Sequence, residues 1–147
     1  MSEISNDAEL QEALSKLSIG QQRIVAAGFV ENVLSLTEDI RLAHAVEVAA
    51  DPEASETELN TAYRSAKSAA IDAHARCGAD GEWTDQSGYF VARAMELVTG
   101  PIRTQGKSLA WKVALQCRMA SACLEPDAGD NNTCTAQRQI LTNYLNS

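Results

Sequence analysis

From Tyr89 to Val98 the chain carries only two charged residues, Arg93 and Glu96, and every other position is apolar or aromatic. A helix made from this segment is apolar nearly all round. It must therefore be surrounded by other elements on most of its sides. That requirement points to a bundle, with the helix near residues 85–98 at its centre.

The partners are legible in the same way. Leu59, Ala62, Ala66, Ala69, Ala70 and Ala73 recur at helical spacing between Glu56 and Arg76. Small residues at that spacing let a neighbouring helix come close. Apolar residues make up 45% of the chain and aromatic residues only 5%. Alanine therefore supplies much of the apolar content, which favours helix. No segment sustains the alternation of a strand. With 147 residues the chain is long enough for one domain with a full core. The reading is all-α, a single-domain bundle of six to seven helices spanning 1–147, with residues 1–5 expected to be disordered.

The remaining helices follow from caps and stripes. Ser5-Asn6-Asp7 is placed to cap a first helix carrying Leu10, Leu14 and Leu17, whose otherwise polar sequence predicts loose packing. Ser18–Gly20 reads as a break. Gln21–Leu36 follows, and Gly28 inside it predicts close approach of another backbone. Thr37-Glu38-Asp39 reads as a cap followed by first-turn acids, and Ile40 begins the apolar side of the third helix. Ser55-x-x-Glu58 fits a capping box for the fourth. Later helices are expected over Thr84–Val98, Lys107–Leu124 and from Thr133, read as a cap.

The formal net charge is -8. A nucleic-acid binder needs a basic footprint, so that class is excluded, and docking on anionic lipid with it. No apolar run reaches the ~20 residues of a membrane span, and Met1–Asn6 has no signal-like pattern. The expected location is cytoplasmic. Four cysteines, at 77, 117, 123 and 134, lack CxxC spacing and are expected to be reduced thiols.

Catalytic and cofactor patterns fail one by one. Gly100–Ser108 resembles a phosphate loop, but it has five residues between its glycines and follows a helix. His74-x-x-Cys77 places two metal-type ligands on one helix end, without a second pair at ligand spacing. No Glu-x-x-His motif of the di-metal bundles occurs. No cofactor and no catalytic residue is expected. A second reading, a small-ligand- or metal/redox-responsive domain using Cys77 and His74, rests on that single pair.

The positive signal is acidic. Glu47, Asp51, Glu53, Glu56 and Glu58 lie in a stretch free of Lys and Arg from Leu42 to Tyr63. Asp80, Glu82 and Asp85 flank Trp83. Aromatic side chains supply anchoring area and carboxylates steer the encounter with a basic protein. These nine residues are the candidate partner-binding set. Homo-oligomerisation through apolar faces is a further reading.

The alanine-rich helix, Ala62-Tyr63-Arg64-Ser65-Ala66-Lys67-Ser68-Ala69-Ala70-Ile71-Asp72-Ala73-His74, resembles the small-residue helices of all-α immunity proteins from bacterial polymorphic-toxin systems. The resemblance covers that helix and its neighbour. It implies a cytoplasmic non-enzyme that neutralises a toxin by binding it, and it assigns no site residue. The expected function is thus a non-catalytic interaction module of immunity, adaptor or inhibitor type.

Overall fold

The computed structural model describes residues 4–76, 83–100, 109–124 and 129–147, with the backbone alone at 83–85, 124 and 129–131. The described residues form seven α-helices and no strand: α1 (Asp7–Ser15), α2 (Ile19–Val33), α3 (Ile40–Ala50), α4 (Glu56–Arg76), α5 (Trp83–Thr99), α6 (Leu109–Leu124) and α7 (Gly129–Asn146). A short 3-10 turn, Leu34–Leu36, follows α2. The fold is an all-α bundle.

The apolar run lies where its composition requires. Helix α5 packs most extensively on α6 and α4, and it also meets α2 and α3. Val91, Ala92, Ala94 and Met95 are completely buried, whereas Arg93 reaches solvent. On α4, Ala62, Ala66, Ala69, Ala70 and Ala73 form the buried stripe. On α2, a β-carbon at Gly28 would stand 3.2 Å from Ile140 Cγ2, so what presses close is a side chain of α7 and not a backbone.

Local rules explain most helix ends. Ser55 and Glu58 form the expected capping box, with Ser55 N donating to Glu58 Oε1 and Glu58 N to Ser55 Oγ. Other expectations need correction. Ser18 is itself a cap, in a second capping box with Gln21, so α2 begins at Ile19. Asp39, not Thr37, caps α3, while the Thr37 hydroxyl accepts from the Asp39 amide. Thr133 lies inside α7 and hydrogen-bonds Ser121 on α6 at 2.6 Å. Helix α1 packs on little besides α6, as its polar sequence predicts, yet Leu10 and Leu14 are completely buried. Ile40 faces outward and is 79% exposed.

Candidate functional site

Helices α3 and α4 form an antiparallel hairpin, clasped at one end by Arg41. Its guanidinium donates to both oxygens of Asp39 and bridges to Asp72 on α4 at 3.0 Å. The same Arg41 holds the Asp39 carboxyl below its ordinary range. Beside this clasp, Ile71 is also exposed, at 61%.

The acidic residues occupy the opposite end. Glu47, Asp51, Glu53, Glu56 and Glu58 are all exposed where α3 ends and α4 begins. Two of them have structural work. Asp51 Oδ1 accepts from the Glu53 amide at 2.8 Å, turning the chain, and Glu58 completes the capping box. Glu47 lies 3.8 Å from His44, with both side chains about four-fifths exposed. Among the described residues, no cation pairs with Asp51, Glu53, Glu56 or Glu58.

Arg23 borders this edge and was invisible to local reading. Its guanidinium donates to the carbonyls of Ala49 and Asp51 at 3.1 and 2.8 Å. These are end-of-helix carbonyls of α3, which attract cations. Arg23 is 26 residues from Ala49 in sequence, so no spacing rule could have found it.

Asp80 and Glu82 lie outside the described residues, as do the side chains of Trp83 and Asp85. The backbone of Trp83 opens α5, and the Tyr89 ring on α5 lies 5.5 Å from His74 near the end of α4. Helix α4 has 21 residues, hence a length of ~30 Å. The edge from Glu47 to Glu58 and the start of α5 therefore lie at opposite ends of α4.

The thiol and metal readings find little here. Cys77 lies outside the described residues, and His74 is exposed. Cys117 is buried, and desolvation raises its thiol pKa far above the ordinary value, which leaves it unreactive. Among the described residues, no three His, Cys, Asp or Glu side chains converge as metal ligands. Of the glycine-rich segment, only Gly100 is described. A β-carbon there would stand 2.7 Å from the Glu96 carbonyl and 3.1 Å from the Tyr63 ring. Among the described residues, no helix is long and apolar enough to cross a membrane. Set against known protein families, curated proteins and solved structures, the chain matches none, so the geometry alone informs its function.

Proposed function

We propose that the protein is a non-catalytic interaction module, of immunity, adaptor or inhibitor type, whose acidic α3–α4 edge meets a basic protein partner. The observation that carries this reading is the edge itself. Five exposed carboxylates gather at one end of the α3–α4 hairpin, and the Arg23 guanidinium beside them donates to backbone carbonyls. Unneutralised charge of one sign raises the rate of encounter with the opposite sign and sets orientation more than it adds affinity. The start of α5, where Trp83 stands in the chain, lies a helix length away, so Trp83 joins the same interface only for a partner that runs along α4.

The test uses Glu47, Glu53 and Glu56, which can be reversed to lysine without touching the Asp51 turn or the Glu58 cap. A basic protein should be retained from an extract of the source cells by the wild type. It should be lost with the triple variant and lost as salt rises, because exposed charges are screened. Identical retention by the wild type and the triple variant would refute the assignment. Trp83→Ala, measured in parallel, reports whether the partner reaches the far end.

A further inference from the structure

We propose that α1 is a strap that opens as a unit, with Arg118 as its latch. Helix α1 has nine residues and packs chiefly on α6, whereas α2 to α7 each pack on at least two other helices. A helix this short does not persist alone in water, so release and melting coincide. Its apolar anchorage is Leu10 and Leu14, fully buried, with Ile4, Ala13 and Leu17 partly so.

The latch is two-pronged. Arg118 donates through Nη1 and Nη2 to the two oxygens of Asp7, both at 2.9 Å. From the other side the guanidinium is fixed by the body of the fold. Its Nε donates to Gln137 Oε1 at 2.8 Å, and its charge lies 5.0 Å from the Trp111 ring centre. Gln137 is completely buried and donates to the Ala114 carbonyl at 3.0 Å. A second, weaker tie runs from Arg138 to the Ser5 carbonyl at 3.3 Å.

The asymmetry is the point. Arg118 is 12% exposed and braced by α6 and α7, whereas Asp7 is 44% exposed and belongs to α1 alone. Opening breaks the Asp7 and Ser5 contacts and leaves the guanidinium in place. Helix α2 keeps its own start, because Ser18 and Gln21 cap it without help from α1. The segment between Ser15 and Ser18 is thus the hinge. What opening uncovers is an apolar strip with a fixed cation at its end, a surface that the closed strap withholds.

Hydrogen exchange on the full chain tests this. Amides of α1 from Leu10 onward should exchange faster than those buried in α5 and α6, through an opening that leaves α2 to α7 protected. Asp7→Asn should accelerate α1 exchange by about tenfold and leave α5 unchanged, since charge-assisted bonds are lost only there. Should that variant not fold, wild-type protein at about 0.5 M salt should show the same selective acceleration. The proposal falls if α1 and α5 exchange together, if Asp7→Asn and salt accelerate every helix alike, or if α1 is unprotected from the start.

Discussion

The seam between α4 and α5 and the seam that joins α1, α6 and α7 are built from different materials. At the first, helices α4 and α5 pack extensively, and each brings buried apolar residues to the core, among them Ala62, Ala66, Ala69 and Ala70 on α4 and Ala94 and Met95 on α5. Across the second, Arg118 bonds Asp7 on α1 and Gln137 on α7, Gln137 donates to the Ala114 carbonyl on α6, and separately Ser121 on α6 bonds Thr133 on α7. An alanine face is specified chiefly by shape, because methyl groups offer nothing directional. A polar seam is specified by matching donors to acceptors, because an unmatched buried group is costly. The first should fail when volume is added and the second when one partner is removed.

The largest effect is therefore expected at Ala66, which is completely buried in the middle of α4. Ala66→Leu adds three carbons at a position with no exposed surface, and overpacking of this kind costs about 3 kcal/mol. Urea denaturation followed by helix content measures it. A loss below about 1 kcal/mol would mean that the seam has slack, and the contrast between the two seams would weaken.

At the polar seam, Gln137→Leu keeps the volume and removes both hydrogen bonds. It removes the Gln137 acceptor from Arg118 Nε and loosens the latch, for a loss of about 2 kcal/mol. Because Gln137 and Asp7 hold the same guanidinium, Gln137→Leu and Asp7→Asn should be non-additive when combined. Simple additivity in urea denaturation would show that the brace and the latch act separately.

The alanine seam was legible because period alone encodes it. Positions 62, 66, 69, 70 and 73 mark one face of any helix, and the run from Tyr89 to Val98 demands a surrounding. The Ser55–Glu58 capping box was legible for the same local reason, whereas Gly28 signalled a close backbone and meets the Ile140 side chain instead. The polar seam was not legible. Arg118 and Asp7 are 111 residues apart, and Thr133 looks like a cap until its Ser121 partner is seen. Leu10 and Leu14 were visible as a stripe, but their complete burial depends on that same seam. The Ser18–Gln21 box carried its signature in the sequence, yet Gly20 beside it reads as a break. For the candidate site, the exposed acids from Glu47 to Glu58 were readable as solvated charge. Their distance from Trp83 follows from the length of α4.

The smallest effect concerns the one described carboxylate that crosses the contrast. Glu96 sits at the border of the α4–α5 seam with its side chain 13% exposed, and its Oε2 is buried without a hydrogen-bond partner. The nearest cation, Arg93, is 3.6 Å away and half exposed. Burial raises its pKa above the ordinary 4.5, and Arg93 and Lys67 offset only part of that shift. Between the ordinary and the raised value the native state binds more protons than the unfolded chain, so stability falls as pH rises through that window. Asp7 has the opposite sign. Its pKa is lowered, foremost by the Arg118 hydrogen bonds, so its contribution is present at neutral pH and is lost as pH falls through the native value. Glu96→Gln should therefore stabilise the protein by about 1 kcal/mol near pH 7, and by almost nothing below about pH 4, where the native glutamate is already neutral. Denaturation of the wild type and Glu96→Gln across that pH range measures the difference. Destabilisation near pH 7 would mean that attraction to Arg93 and Lys67 outweighs burial, and that the alanine seam, like its counterpart, is held in part by charge.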